Sequence, residues 1–304
     1  MLELPHRLLI VTAALAGAAA CSSANTGVAG SPLVSHPDVR TVFTIVFENE
    51  NGANVLAPSN PFFTSLAQQQ AQAAAYVSAT HPSCPNYIMM TSGATQGLIT
   101  DADPVANVQV PGTENLADQL DAAHVPWRAY MESMGEPCKM TSSGYYSAHH
   151  NPFLYYTTMA SDPARCAEHV VDFDASFAAD LASDQYRFMW ITPNLCSDLH
   201  SCPSEVADAW LEKTVTQIQA SAAYKNGGAI FVLFDEGSTR WLGTSADLAT
   251  IVASPKLART SYVSQIAFDH RSYLATVEDI FDMPRLSTTV NATSMDEFFQ
   301  VKKP

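Results

Sequence analysis

Short apolar runs alternate with amphipathic segments along most of the chain. Runs of β-branched and aromatic residues bounded by polar residues are typical of buried strands. They predict strands at 41–47, 127–131, 186–193 and 227–237. A content rich in Ala, Gln and Leu predicts a helix at 62–76. An amphipathic pattern predicts a helix at 114–123, and helices are also expected at 207–222 and 272–281. Because strands alternate with helices, we expect an α/β fold with a mainly parallel central sheet and helices on both faces.

The N-terminal segment has a different character. An apolar, alanine-rich run from Leu8 to Ala20 is too short to span a bilayer comfortably and is typical of a signal peptide at residues 1–20. Cys21 follows small residues, as at a bacterial lipoprotein processing site, so we expect it to be lipidated. Ordinary cleavage that leaves Cys21 a spare thiol is the alternative. Residues 21–39 are small and polar and predict a flexible tether before one domain at 40–304.

Export to the periplasm or the outer surface implies an oxidising compartment, in which cysteines pair. Sequence alone does not fix the connectivity of the five cysteines after Cys21. We favour the pairs Cys138–Cys166 and Cys196–Cys202, because Cys84 lies in a stiff turn where it would be buried. The chain has no C-x-x-C pair, which argues against a zinc site built from cysteines.

The chain is strongly acidic. Its 304 residues include 15 Lys and Arg against 30 Asp and Glu, a net charge of −15. Such a surface repels nucleic acid and anionic membranes, so we expect no nucleic-acid partner, and membrane contact only through the lipid anchor. A phosphate-bearing substrate would need local positive charge, from a metal or a helix N-terminus.

The stretch "THPSCPNYIMMTSG", residues 80–93, sets a serine between two prolines. Ser83 lies between Pro82 and Pro85, and Asn86 precedes an apolar run. A proline-rich turn whose Ser or Asn caps a helix is one interpretation. The other is an active site whose prolines hold Ser83 and Asn86 in a fixed orientation.

Polar residues also follow three of the predicted strands, where open α/β sheets bind their ligands. They are Glu48 and Asn49, then Asn194, Asp198 and His200, then Asp235 and Glu236, with Asp269 and His270 preceding the last helix. Any one of them could cap a helix or brace a loop. The adjacent Asp235 and Glu236, however, repel each other unless a cation lies between them, and the nearest basic residue in the sequence is Arg240. This pattern favours a divalent cation of the Mg²⁺, Ca²⁺, Mn²⁺ or Zn²⁺ type.

Such a cation would turn the Ser83 hydroxyl into a nucleophile by lowering its pKa. The Asn86 amide and the start of the following helix would donate hydrogen bonds to an anion. Together these groups favour a tetrahedral phosphate as the substrate group.

The motifs resemble those of a known family. The chain resembles the bacterial phosphoesterase family that contains secreted acid phosphatases and phospholipases C, within the alkaline phosphatase superfamily. The resemblance covers about residues 40–300 and keeps the order of the motifs. The matching segments are "FEN" at 47–49, "HPSCPNY" at 81–87, "AHHNPF" at 148–153, "ITPNLCSDLHSC" at 191–202, "FDEG" at 234–237 and "DHRSYLATVEDIF" at 269–281.

This resemblance implies roles for individual residues. Ser83 would be the nucleophile that becomes phosphorylated, and Asn86 would hold a phosphate oxygen. A metal next to Ser83 would be surrounded by Glu48, Asn49, Asp235 and Glu236. Asp198, His200 and His270 would line the other side, as ligands of a second metal or as acid–base groups.

Two positions depart from the family. His150 matches its His-Asn-Pro segment, but His149 stands where relatives often have Lys, so a phosphate contact there would depend on protonation. Ser201 stands where relatives often have Asp. Both departures bear on the number of metals and on the pH optimum.

The resemblance and the residues together predict an exported, metal-dependent phosphoesterase that hydrolyses phosphomonoesters through a phosphoserine. A phospholipase C-type phosphodiesterase acting on lipid headgroups is the alternative enzyme, although the compact chain has no identifiable lipid-binding extension. A catalytically silent surface lipoprotein that binds a metal or a ligand is the alternative from another class. The intact set of Ser83, Asp235 and Glu236 argues against silence.

Overall fold

The computed structural model describes residues 37–107, 112–238 and 247–300. They belong to one compact unit, residues 35–304. The predicted signal peptide, Cys21 and all but the last three residues of the tether lie outside the described residues. Within the described part of the chain, no helix has the length and apolar character needed to cross a bilayer.

Eight strands form one sheet in the order β4-β3-β5-β1-β6-β7-β2-β8. The strands are β1 Thr41–Phe47, β2 Ala71–Val77, β3 Trp127–Met131, β4 Val170–Asp172, β5 Phe188–Thr192, β6 Gly228–Phe234, β7 Ile251–Ala253 and β8 Tyr262–Asp269. Neighbouring strands are parallel except at β7, which runs antiparallel to both β6 and β2. The predicted mainly parallel α/β fold is therefore confirmed.

Helices occur between most of the strands. The α-helices of the described residues are α1 Gly52–Val55, α2 Pro61–Gln69, α3 Ser83–Ser92, α4 Pro104–Asn107, α5 Leu116–Ala122, α6 Thr157–Ala160, α7 Pro163–His169, α8 Phe173–Ser183, α9 Ser204–Ala220, α10 Ala222–Lys225 and α11 His270–Ile280. Short 3-10 helices lie at Ala148–His150, Pro152–Tyr155 and Asp296–Phe298.

The three central strands β5, β1 and β6 are buried along their whole length, as expected for a sheet covered on both faces. On one face, the Phe47 ring stacks on Phe234 with centroids 5.5 Å apart and meets the edge of Phe63 of α2 at 5.1 Å. On the other face, Tyr273 of α11 packs against Phe231 at 5.5 Å. Burial of each such aromatic side chain contributes about 2–3 kcal/mol, so this layered core holds helices against both faces of the sheet.

One predicted element is wrong in its second half. The expected helix at 62–76 ends at Gln69, and Ala71–Val77 form strand β2. The alanine-rich segment favours a helix locally, but it pairs with β7 on one side and β8 on the other, so tertiary pairing overrides local propensity. The helix expected at 207–222 is also divided, because Ser221 ends α9 and caps α10.

The parallel strands place their carboxyl ends at one edge of the sheet. Glu48 follows β1, Asp235 follows β6, and the loop that carries Asp198 follows β5. The loop after β2 leads into Ser83, and His270 directly follows β8. The topology thus brings the predicted site residues from five strands to the same edge.

Candidate active site

Ser83 is the first residue of α3, and its hydroxyl takes no part in capping that helix. The N-cap residue is Pro82, which has no side-chain cap hydrogen bond. A carboxylate from another loop caps the helix, because Asp101 Oδ1 accepts a 2.9 Å hydrogen bond from the backbone N–H of Cys84. The Ser83 hydroxyl instead donates a 2.9 Å hydrogen bond to Glu48 Oε2. The capping interpretation of Ser83 is therefore wrong.

Asn86 is fully buried behind Ser83. Its side-chain nitrogen donates to the carbonyl of Thr80 at 2.8 Å and to Glu236 Oε2 at 3.1 Å. Its side-chain oxygen accepts from the backbone N–H groups of Ala79 and Thr80 at 3.2 and 3.3 Å. In this structure, Asn86 therefore fixes the loop that leads to the serine, and its contact with a phosphate oxygen stays a prediction.

Three carboxylates are buried beside Ser83. Glu48, Asp198 and Asp235 are each fully shielded from solvent. Burial raises the pKa of all three well above the ordinary range, and nearby acids raise the pKa further. For Glu48, the neighbouring acids are first Asp235 and then Asp198; for Asp235, the neighbour is Glu236. This concentration of acids costs stability unless protons or a cation compensate for it.

Each of these three carboxylates has one oxygen without a hydrogen-bond donor among the described residues. These oxygens are Glu48 Oε1, Asp198 Oδ2 and Asp235 Oδ2. Buried carboxylate oxygens of this kind match the donors that hard divalent cations take. No preformed group of three or more His, Cys, Asp or Glu side chains that could hold a metal occurs in the described ranges. The chemistry of the donors therefore fits a cation, whereas their present spacing is not that of a closed metal cage.

His150 lies between two of these carboxylates. Its Nε2 is 3.4 Å from Glu48 Oε1 and its Nδ1 is 3.6 Å from Asp198 Oδ2, while its ring stacks on Tyr87 at 5.2 Å. Burial lowers its pKa well below the ordinary value, and His149 and His200 lower the pKa further. We therefore regard the imidazole as neutral and the two contacts as polar contacts, not ion pairs.

His270 is buried, and both of its ring nitrogens are engaged. Nε2 lies 2.8 Å from the backbone carbonyl of Asp235, and Nδ1 lies 3.1 Å from the Tyr76 hydroxyl. Since a carbonyl only accepts, Nε2 carries the proton and donates it there. Burial lowers the pKa of His270 to about 4. His270 thus braces Asp235, and binding a metal would require one of these hydrogen bonds to break.

A cavity of about 350 Å³ opens beside the Ser83 hydroxyl. It is lined by Asn49, His81, Pro82, Ser83, Asp101, His149, His200 and Glu236. Five of the predicted site residues thus face the cavity: Asn49, Ser83, His149, His200 and Glu236. The other six lie buried around it: Glu48, Asn86, His150, Asp198, Asp235 and His270. No lysine or arginine is among the lining residues, so imidazoles are the basic side chains that a bound anion would meet.

Sequence reasoning missed two groups, one that lines this cavity and one next to a lining residue. His81 Nδ1 lies 2.8 Å from Glu236 Oε2, whereas the sequence motif "HPSCPNY" assigns roles only to Ser83 and Asn86. Asp103 lies 3.6 Å from His149 Nδ1, which places a carboxylate next to the imidazole expected to meet phosphate. The position of His81 two residues before the serine could have identified it from the sequence. Asp103 lies in an irregular loop, and no sequence pattern marks it.

Both predicted disulfides are present, and Cys84 is free and buried. The Cys196–Cys202 bridge closes a short loop that contains Asp198 and His200, and the backbone N–H of His200 donates to Asp198 Oδ1 at 2.8 Å. The loop is thereby held against the site. Two disulfides also fit an oxidising compartment.

The mainly parallel sheet carries a serine and buried carboxylates at the carboxyl ends of its strands, and comparison with known proteins identifies the family. Residues 54–284 match the Phosphoesterase family, and the chain belongs to that family. The prediction of a hydrolase that acts on phosphoric ester bonds is confirmed at this level.

Two curated relatives illustrate the range of the family. The chain is 27% identical over 184 residues to a phosphate-repressible acid phosphatase of Penicillium chrysogenum, which covers 58% of this chain and 43% of the relative. It is 26% identical over 277 residues to a phosphatidylinositol-3-phosphatase of Mycobacterium tuberculosis, which covers 90% of this chain and 86% of the relative. The chain thus spans less than half of the fungal protein and most of the mycobacterial one.

Solved structures confirm the fold. A protein of the alkaline phosphatase superfamily from Vibrio parahaemolyticus has a TM-score of 0.57 at 12% identity, over 85% of this chain and 71% of that one. A phosphonate monoester hydrolase from Silicibacter pomeroyi has a TM-score of 0.56 at 11% identity, over 85% and 76%. At such identities, the likeness concerns the fold alone.

Proposed function

We propose that the protein is an exported, metal-dependent phosphoesterase that hydrolyses phosphomonoesters through a phosphoserine at Ser83. The observation that supports this most strongly is the 2.9 Å hydrogen bond from the Ser83 hydroxyl to the buried Glu48, on the wall of the cavity. The names of both relatives, an acid phosphatase and a phosphatidylinositol-3-phosphatase, favour a monoester over a diester.

The first step is attack by Ser83 Oγ on the phosphorus atom. An Oγ–P bond forms, the ester P–O bond breaks, and the hydroxyl proton moves along its hydrogen bond to Glu48 Oε2. The 2.9 Å hydrogen bond to Glu48 Oε2 orients the hydroxyl for this transfer. Asn86 and His270 contribute indirectly, by fixing the loop before Ser83 and the backbone of Asp235.

The departing alkoxide takes a proton from a protonated histidine of the cavity, and the candidates are His81, His149 and His200, which line it. Water then attacks the phosphoserine, gives its proton to the same imidazole, and releases inorganic phosphate as Ser83 recovers its proton from Glu48. One group thus acts as acid and then as base, as general acid–base catalysis of a two-step reaction requires.

A divalent cation, when bound, would supply positive charge to the serine oxygen and the phosphate. The residues that would hold it are Glu48, Asn49, Asp235 and Glu236, with Asp198, His200 and His270 on the other side. One buried oxygen of each of Glu48, Asp198 and Asp235 has no hydrogen bond among the described residues, which supports this proposal. Mg²⁺, Ca²⁺, Mn²⁺ and Zn²⁺ all suit carboxylate-rich sites.

Export and lipid anchoring at Cys21 complete the proposal. The two disulfides support export, because such bonds persist in oxidising compartments. Under this proposal, the natural substrates are phosphate esters outside the cytoplasm.

The name of the mycobacterial relative raises a second candidate substrate class, lipid phosphomonoesters. The test compares p-nitrophenyl phosphate, p-nitrophenyl phosphorylcholine and a short-chain phosphatidylinositol 3-phosphate at equal concentration. We expect p-nitrophenol to be released from p-nitrophenyl phosphate at least about a hundredfold faster than from p-nitrophenyl phosphorylcholine. A clear preference for the phosphorylcholine diester would favour the phospholipase C alternative, and activity on none would favour a silent protein.

A further inference from the structure

A second cavity, of about 540 Å³, lies at the other end of the central strands, where these strands begin. It is lined by Arg40, Thr41, Asp184, Arg187, Ala223, Lys225, Asn226 and Lys256. Four of the 15 basic residues of the whole chain therefore gather around one cavity of a protein with a net charge of −15. The mechanism described above uses none of them.

The cations of this basic cavity are placed by the central strands. Arg40 directly precedes β1, Arg187 directly precedes β5, and Lys225 lies three residues before β6. These same three neighbouring strands end at the buried acids of the active site. A seven-residue strand spans about 20 Å, so the basic cavity and Ser83 lie at opposite ends of the strands. A substrate bound at the serine therefore does not reach the basic cavity.

Backbone geometry brings two of the cations together. Gly227 has φ +112°, a conformation that favours glycine, and its carbonyl accepts a 2.8 Å hydrogen bond from the backbone N–H of Arg40. A Cβ atom at Gly227 would lie 3.5 Å from Lys256 Cε and 3.7 Å from Arg40 Cγ. The side chains of Arg40 and Lys256 thus flank one stretch of backbone.

Two carboxylates partly compensate for the four positive charges. Lys256 Nζ lies 2.9 Å from Asp38 Oδ2, and Arg187 Nη1 lies 3.0 Å from Asp184 Oδ1. The four side chains of these two ion pairs are each about one-third exposed. Ion pairs as open to solvent as these contribute little to stability. They can rearrange around a bound anion, and the cavity keeps two more positive than negative charges.

We propose that this basic cavity binds a phosphate group, presented by an anionic phospholipid headgroup or by inorganic phosphate in solution. Arginine and lysine donors in a concave site are the groups that recognise phosphate oxygens. The overall negative charge repels anions at long range, so the attraction has to be local and sensitive to salt. If the source is a headgroup, the catalytic edge faces away from the bilayer.

The test uses the full chain with Cys21→Ser, which removes the residue proposed to carry a lipid. Arg40→Gln/Lys225→Gln removes two exposed charges of the cavity. Lys213→Gln/Arg259→Gln is the matched control, because it removes two exposed charges that do not line the cavity. Each protein is titrated by calorimetry with inorganic phosphate, and separately sedimented with phosphatidylcholine vesicles with and without phosphatidylglycerol, at low and high salt.

A basic residue near an anionic membrane surface contributes about fivefold in affinity. We therefore expect Arg40→Gln/Lys225→Gln to reduce the affinity for phosphatidylglycerol vesicles about twenty-five-fold, and the control variant to reduce it much less. A loss of binding that is confined to the phosphatidylglycerol vesicles identifies a lipid headgroup as the source of the phosphate group. Loss of one class of phosphate sites in calorimetry, with unchanged turnover of p-nitrophenyl phosphate, identifies inorganic phosphate. Equal binding by all three proteins in both assays would overturn the proposal, whether or not Ser83 proves to be the nucleophile.

Discussion

The Ser83 hydroxyl and the Glu48 carboxylate are joined by a 2.9 Å hydrogen bond, although their strands β2 and β1 are separated in the sheet by β7 and β6. The bond forms because Glu48 ends β1, while the loop after β2 returns Ser83 to the same edge. A serine proton is thereby directed at a buried carboxylate whose pKa is raised by burial. The proposed reaction depends on this arrangement.

Replacing Ser83 by alanine is expected to reduce kcat at least about a hundredfold, a loss of roughly 2.7 kcal/mol in transition-state stabilisation. Only a hydroxyl beside a cavity is lost, so the thermal midpoint should change little. Ser65→Ala is the matched control, since its hydroxyl only donates to the carbonyl of Phe62. Retention of more than about one per cent of the activity by Ser83→Ala would remove this residue as the nucleophile.

Removing divalent cations with EDTA is expected to abolish hydrolysis, because Asp235 and Glu236 need compensating charge. Separate additions of Mg²⁺, Ca²⁺, Mn²⁺ and Zn²⁺ should restore activity and raise the thermal midpoint with at least one of them. Asp235→Asn should lower the metal content found by elemental analysis, while the exposed control Asp174→Asn should not. Full activity in protein shown to be metal-free would contradict the proposal.

The Cys84 thiol is expected to be inert in the folded protein. Burial raises its pKa to about 12, so almost none of it is thiolate at pH 8, and thiolate is the reactive form. A Cys21→Ser protein should bind no thiol reagent when native and one equivalent after unfolding without reductant. Rapid labelling of the native protein, or a second thiol on unfolding, would contradict this burial or the two-disulfide pattern.

The replacement His149→Lys is expected to flatten the fall of kcat/KM on the alkaline side. An imidazole carries a positive charge only at mildly acidic pH, whereas a lysine stays charged to about pH 10. The groups that face His149 are Asp103 at 3.6 Å and the ring of His150 at 4.5 Å. The measurement is a pH profile for wild type, His149→Lys and the exposed control His124→Lys. Superimposable alkaline limbs would show that the charge at position 149 does not control the pH dependence of kcat/KM.

The sequence predicts the strands of the fold more completely than the side-chain contacts of the site. The run of β-branched and aromatic residues at 41–47 is buried along its whole length, so its pattern predicted strand β1 to the residue, and the mostly apolar segment 127–131 likewise predicted β3. Strand β2 was missed because alanine and glutamine signal a helix, and only pairing with β7 and β8 makes the segment extended. The motif residues were identified, but the side-chain directions of Asn86 and His270 depend on contacts with distant loops.

The basic cavity shows a further limit of sequence reasoning. The acids follow their strands, where α/β sheets bind ligands, whereas Arg40 and Arg187 precede their strands, where the sequence gives no sign of a shared cavity. Only the parallel order β5-β1-β6 shows that they meet.

The most direct test of the central claim is to trap the enzyme during turnover. Wild-type protein is mixed with excess p-nitrophenyl phosphate, quenched in acid within the first turnovers, digested and mapped by mass spectrometry. The account predicts one phosphoryl group on the peptide that contains Ser83, at Ser83 itself, and none in Ser83→Ala. Steady release of p-nitrophenol with a phosphate on another residue, or undiminished release by the Ser83→Ala protein, would contradict it.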